Sequence, residues 1–184
     1  MSEEYYGLCP LPRKRVCSND FTHFRVAAAF TNLILEEQEV MSSTMSREGC
    51  KRFLAGLHVG VLAIADNGRG PLVTPVWYLY EPGGEVHIST ARNSRKSRLL
   101  EYAGRLTLCV QDEAPPYKYV TIEGPIVRIE AADLERDVRP LAHRYLGKEG
   151  GDQYVKSIGG DSAADDEVLI CMRPEHWYSA DYGS

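Results

Sequence analysis

Three apolar, β-branched segments crowd into the stretch from His58 to Thr90: HVGVLAIA (58–65), PLVTPVWYLY (71–80) and EVHIST (85–90). Only DNGRG (66–70) and EPGG (81–84) separate them. The runs are too short and too branched to favour helix, and the linkers carry Asn-Gly and Pro-Gly-Gly turn signals. Connections this short can join only antiparallel neighbours. RLTLCVQ (105–111), YKYVTIEGPIVRIE (117–130, one long strand or two joined at Gly124-Pro125) and EVLICMRP (167–174) add further strands, six to seven in all. Closing such a sheet removes its exposed edges. The expectation is a mainly β, antiparallel barrel with flanking helices. Pro75 moves the second segment towards a sheet edge or a bulge, because it cannot donate to a ladder.

Helical patterns interrupt the strands at three places. SREGCKRFLAG (46–56) has Ser46 as N-cap and Gly56 as stop. A short helix is predicted from about Ser94 to Ala103, ending near Gly104. In AADLERDVRPLAHRYLG (131–147), Leu134, Val138, Leu141 and Tyr145 recur at helical spacing, with Pro140 as a kink, and GDQYVKSI continues the helix. GGDSAADD (159–166) is a polar loop. DSAADDE lacks the spacing of a calcium loop and reads as a solvated turn. Residues 1–45 read as an N-terminal extension to a domain at 46–184. Either they form an arm that packs on a partner subunit, or the natural start is Met41 or Met45.

The 184 residues suit one domain with a sizeable core, and the net charge of −5 excludes a general nucleic-acid binder. The five cysteines form no CxxC pair. Cys109 and Cys171 sit in apolar runs, where a thiol acts as a small hydrophobe. Reduced cysteines, no membrane-length apolar run and no signal-peptide order predict a cytoplasmic protein. His58, His87 and His143 lack metal-ligand spacing, so no metal is expected.

One stretch resists a purely structural reading. VHISTARNSRKSRLL (86–100) passes from strand to helix and places Arg92, Arg95, Lys96 and Arg98 where the macrodipole disfavours cations. Ser94 is the natural N-cap, with Asn93 as the other candidate. Arg95 and Arg98 share a face. The first turn also offers free backbone N–H groups and the hydroxyls of Ser89, Thr90, Ser94 and Ser97. A bound phosphate would make these terms favourable. A solvated basic helix end paired with carboxylates elsewhere is the competing account. Neither a Walker motif nor GxGxxG is present.

The order GVLAIA, PVWYL, the RKSRLL helix, RLTLCV, VTIEGPIVRIE and a closing PEHW resembles the flavin/deazaflavin-binding split β-barrel family. This is the pyridoxamine 5′-phosphate-oxidase-like group, with its actinobacterial branch that uses coenzyme F420. The similarity runs from about Arg47 to Tyr182. Leu99 stands where the family often has Asn, and Arg105 follows Ala-Gly where Asp-Pro is common; neither change removes a phosphate ligand. The resemblance implies a homodimer with the cofactor at its interface. Lys96 and Arg98 would hold the phosphate, with Ser97 and Arg95 as further ligands. Val59, Gly60, Val61, Pro75, Val76 and Trp77 would line the ring pocket, and Ser89 and Thr90 would approach the ring edge or phosphate. Gly60 would let backbone approach a flat ring. Of the adjacent pair, Trp77 is expected towards the pocket and Tyr78 towards the core. Trp177 and His176 either reach the site, from the same or the other subunit, or cap the barrel.

No Ser-His-Asp set, Cys-His pair or paired carboxylates stand out, which suits chemistry carried by a cofactor. Three functions compete: hydride transfer from reduced F420 to an unsaturated organic substrate, an FMN oxidase or reductase, and a non-catalytic module that binds a cofactor or haem. Tyr78, Tyr117, Tyr119 and His176 are the candidate proton donors.

Overall fold

The computed structural model describes residues 43–183. The expectations for residues 1–42 lie outside the described residues. Three α-helices and eight strand segments follow one another as α1 (Arg47–Ala55), β1 (Gly60–Ile64), β2 (Leu72–Val76), β3 (Leu79–Tyr80), β4 (Val86–Ala91), α2 (Arg95–Ala103), β5 (Arg105–Gln111), β6 (Lys118–Ala131), α3 (Arg139–Ser157), β7 (Glu167–Met172) and β8 (His176–Asp181). A π-helical turn, Leu134–Val138, leads into α3. The predicted second strand is broken at Trp77 and Tyr78, and the chain's closing segment forms a strand of its own.

Every strand pairing is antiparallel, in the order β2-β1-β5-β6-β7-β4-β3, with β8 added to β6. β2 and β3 end the order yet are consecutive in the chain. The sheet therefore curls until its two ends meet through Trp77 and Tyr78, as a split barrel. Pro75 lies on end strand β2, where its missing N–H costs no ladder bond. The long β6 crosses between the halves. Its first part pairs β5 and β8, its second part pairs β7, and the register shifts between Ile126 and Arg128. At this crossing a Cβ on Gly124 would lie within 2 Å of the Arg173 carbonyl oxygen (1.9 Å), so only glycine fits.

The barrel interior holds Leu62, Ile64, Tyr78, Ile88, Leu108, Val110, Ile122, Ile170 and Met172, all fully buried. Alternation along the strands produces this: β5 reads outward at Thr107 and Cys109, inward at Leu106, Leu108 and Val110. Helix α1 buries Cys50 and Leu54 in this core and is capped by Ser46, whose Oγ accepts from the Gly49 N–H at 3.1 Å.

The excursion between β6 and β7 is tied to this body. Arg144 donates to the carbonyls of Ala55 and Gly56 at the end of α1, where a cation complements the helix dipole. Pro140 sits in the first turn of α3, where it costs no hydrogen bond. The break in the helix falls instead at Gly147, with φ 71°.

A cavity at the junction of β4 and α2

The strand-to-helix junction distributes its cations one by one. Ser94 caps α2, its Oγ accepting from the Ser97 N–H at 3.0 Å, and Gly104 ends the helix in the left-handed conformation. Arg95 pairs with Asp66 in the turn after β1. Arg98 is exposed and makes no ion pair with a described residue. Ser97 is completely buried, and its Oγ has no hydrogen-bond partner among the described residues. Lys96 alone turns inward, into a cavity of ≈ 500 Å³.

Val59, Pro75, Val76 and Trp77 form one wall of this cavity, and Ser89, Thr90 and Ala91 of β4 form the floor beside Lys96. Val138, Leu141, Ala142, Tyr154 and Ile158, from the α3 region, also line it. Glu167, the first residue of β7, completes the lining. Seven of the residues expected from sequence meet here: Val59, Pro75, Val76, Trp77, Ser89, Thr90 and Lys96. Gly60, Val61, Arg95, Ser97, Arg98 and Trp177 lie outside the lining.

Each of these six has a definite place. A Cβ on Gly60 would stand 2.6 Å from Leu108 Cδ1 and 3.3 Å from Tyr78 Cδ1. Its missing side chain makes room for Leu108 and Tyr78 in the core, a reason the sequence did not suggest. Val61 points to the outer face of β1 and is 37% exposed. Ser97 faces the interior beneath α2, away from the cavity lining. Trp177 packs edge-on to Tyr80, with the Arg47 guanidinium 5.0 Å from its ring.

Trp77 and Tyr78 divide as strand neighbours should. Tyr78 is fully buried and its hydroxyl donates to the Leu54 carbonyl at 2.7 Å. Trp77 lines the cavity, stacked on Tyr145 with centroids 4.9 Å apart and planes within 6°; Tyr154 meets it tilted at 5.4 Å. The Tyr145 hydroxyl accepts from the Tyr78 N–H at 3.1 Å and donates to the His58 carbonyl at 2.7 Å. One side chain of α3 therefore holds the indole face and satisfies the backbone at the strand break. Helical spacing marked Tyr145 as part of an apolar stripe, but not this polar role.

Glu167 carried no sequence signal that separates it from Asp165 and Asp166. Ser89 Oγ donates to its Oε2 at 3.0 Å. Burial pushes its carboxyl pKa up, against the Ser89 hydrogen bond and the Lys96 charge. Burial pushes the Lys96 ammonium down, against the attraction of Glu167. Each charge is thus partly desolvated, and the two do not close an ion pair. None of the expected proton donors Tyr78, Tyr117, Tyr119 and His176 lines the cavity.

Elsewhere, Glu85, His87 and Cys171 bring ligand-type atoms within 4.8 Å of one another. The Arg128 guanidinium occupies that spot, donating to Cys171 Sγ at 3.1 Å and pairing with Glu85 at 3.2 Å. Burial raises the Cys171 thiol pKa to about 11, so it stays protonated.

The model of the pyridoxamine 5′-phosphate oxidase family matches residues 46–181. The chain belongs to that family. Among solved structures, it is similar to an F420 reductase at 23% identity, with a TM-score of 0.58, covering 71% of this chain and 96% of that one. A conserved hypothetical protein from Mycobacterium tuberculosis matches at 22% identity and a TM-score of 0.62, over 76% of this chain and 86% of that one. A FAD-binding protein from Mesorhizobium loti matches at 18% identity and a TM-score of 0.53, over 77% and 98%. These identities establish a shared fold. No curated protein matches the chain at a significant level. Family membership makes a flavin-type cofactor the natural ligand class. Among the described residues, no helix is long and apolar enough to cross a membrane.

Proposed function

We propose that the protein is a reductase that binds reduced coenzyme F420 in the β4–α2 cavity and delivers its hydride to an unsaturated organic acceptor. The carrying observation is the pairing, in one cavity, of an inward-turned Lys96 at a helix start with the indole of Trp77, which Tyr145 backs from outside the lining. The volume falls within the roughly 300–1,000 Å³ usual for small-molecule sites. The donor set fits the group: an ammonium for the phosphate, the Ser89 and Thr90 hydroxyls beside it, and an aromatic, apolar lining for a ring.

When bound, the reduced deazaflavin supplies the hydride. The chain supplies the rest. Lys96, Ser89 and Thr90 fix the polar end of the ligand. Trp77, held by Tyr145, sets the plane of the ring. Val138, Leu141, Ala142 and Ile158 exclude water from that side. Tyr154 brings the phenolic hydroxyl of the lining, a proton donor that the sequence did not single out.

The proposal includes a homodimer. Val61 pairs with Pro75 on one side and Cys109 on the other, and the row continues through Thr121 to Tyr178. Val59, Val61, Val73 and Tyr178 on this outer face are 37–56% exposed, an apolar surface suited to a second copy. Arg98 and Val61, outside the cavity of one protomer, would then serve the assembled site, whereas Trp177 faces the barrel core.

FMN remains the alternative cofactor, and haem the non-catalytic one. Fluorescence and absorbance titration of the full chain with F420, FMN and haem separates these readings, followed by assay of reduced F420 oxidation against a panel of acceptors. Tight F420 binding with turnover is expected. Lys96→Ala should weaken cofactor binding by about 1.5–3 kcal/mol, the cost of a lost charged hydrogen bond. Unchanged affinity in that variant, or FMN or haem binding without F420 binding, overturns the proposal.

A further inference from the structure

A second question follows from the same cavity: which kind of phosphate it accepts. The inference rests on the cofactor reading above and narrows it. Among the described lining residues there is one cation, Lys96, and one carboxylate, Glu167. The neighbouring cations are committed or point away. Arg95 is paired with Asp66, Arg92 is exposed with its guanidinium 3.5 Å from the Glu167 backbone carbonyl, and Arg98 is exposed; all three are outside the lining. The formal charge of the lining is therefore zero.

Glu167 is not free to leave. Its carbonyl accepts from the Ala132 N–H at 3.2 Å, its N–H donates to the Ala164 carbonyl at 3.0 Å, and Ser89 Oγ holds its carboxylate at 3.0 Å. Those contacts fix both ends of the residue at the start of β7. The groups around it are Lys96 from α2, Ser89 from β4, the Arg92 guanidinium 3.5 Å from its backbone carbonyl, and Asp166 adjacent in the chain; Tyr154 lines the same cavity, and β2 contributes only uncharged side chains to it.

We propose that Glu167 is a specificity residue: by facing the same cavity as the single lining cation, it admits a singly charged phosphodiester and disfavours a doubly charged phosphomonoester. A phosphomonoester such as that of FMN carries a charge of about −1.5 to −2 at pH 7. A phosphodiester, the form in F420, has no second ionisable proton. Lys96 can neutralise one negative charge. A second one would sit in a partly desolvated site beside a fixed carboxylate, where like charges are poorly screened. The raised pKa of Glu167 agrees with this, since the site already resists a negative charge.

The test is equilibrium binding of F420 and of FMN to the full-length apo protein and to E167Q, followed by ligand fluorescence. E167Q should tighten FMN at least about tenfold and F420 less than about threefold, because the extra charge carries the penalty. The unmodified protein offers an independent reading if E167Q does not fold. Its FMN affinity should fall as pH rises through the second phosphate pKa of about 6, whereas a cavity with Lys96 acting alone would bind the dianion more tightly. Equal changes for both ligands in E167Q, or FMN binding that strengthens with pH in the unmodified protein, overturn the inference while leaving F420 binding intact. Failure of the unmodified protein to bind F420 instead overturns the cofactor reading, and the inference with it.

Discussion

Tyr145→Phe tests the link between α3 and the barrel. The substitution keeps the ring that stacks on Trp77 and removes only the hydroxyl. That hydroxyl is the acceptor for the Tyr78 N–H at 3.1 Å and the donor to the His58 carbonyl at 2.7 Å. Tyr78 is fully buried, so its N–H has no access to replacement water. A stranded buried donor costs about 1–3 kcal/mol, and the His58 carbonyl adds a smaller loss because His58 is only half-buried. The expected destabilisation is about 2 kcal/mol. Urea unfolding should show a lower midpoint at an unchanged slope. Native-state hydrogen exchange should show faster exchange at the Tyr78 amide. Burial also raises the phenol pKa of Tyr145, and more strongly that of Tyr78. A raised folded-state pKa gives stability that is present below the ordinary value of about 10 and is lost as pH climbs above it. The variant should therefore lose part of the alkaline decline. A destabilisation below about 0.5 kcal/mol, with normal protection of Tyr78, would refute the role of the hydroxyl as the partner of a buried amide.

Other substitutions probe separate parts of the same framework. Ser97→Ala should be neutral or stabilising by up to about 1 kcal/mol in thermal unfolding, since it deletes a buried hydroxyl without a partner, and should leave cofactor affinity unchanged. Gly124→Ala should cost more than about 3 kcal/mol or abolish folding, because its Cβ meets backbone rather than a movable side chain; circular dichroism and soluble yield report it. Glu167→Gln should stabilise the apo protein at neutral pH and do so less as pH falls. With the folded pKa raised, the favourable contribution of Glu167 is complete only below its unfolded value of about 4.3 and is lost as pH rises through the folded value. Chemical denaturation at a series of pH values measures the trend.

Much of the fold was legible because local signals agreed with the tertiary result. Ser46 and Ser94 cap the helices they were expected to cap. Gly104 ends α2, and the hairpins from β1 to β4 follow their turn residues. The break at Trp77–Tyr78 was hidden because PLVTPVWYLY has uninterrupted strand propensity; the sheet must curl there to close. β8 was hidden because HWYSAD gains its ladder only from β6, far upstream. At the site, Lys96 was legible as a cation that a helix start disfavours. Arg98 was expected beside it on the phosphate, with Ser97 as a further ligand; α2 turns Arg98 to the surface and Ser97 into the interior.

The sequence by itself determined an antiparallel barrel, a capped helix spliced after its β4 strand, and a basic junction between them, since propensity, turn chemistry and capping act over a few residues. Tertiary structure alone decided that Lys96 faces inward while Arg95 is spent on Asp66, that Glu167 stands in the same cavity, and that Tyr145 supports Trp77. Those outcomes depend on α3 and β7 returning to the start of β4, and contacts between segments far apart in the chain are set by how the whole core packs rather than by any local pattern.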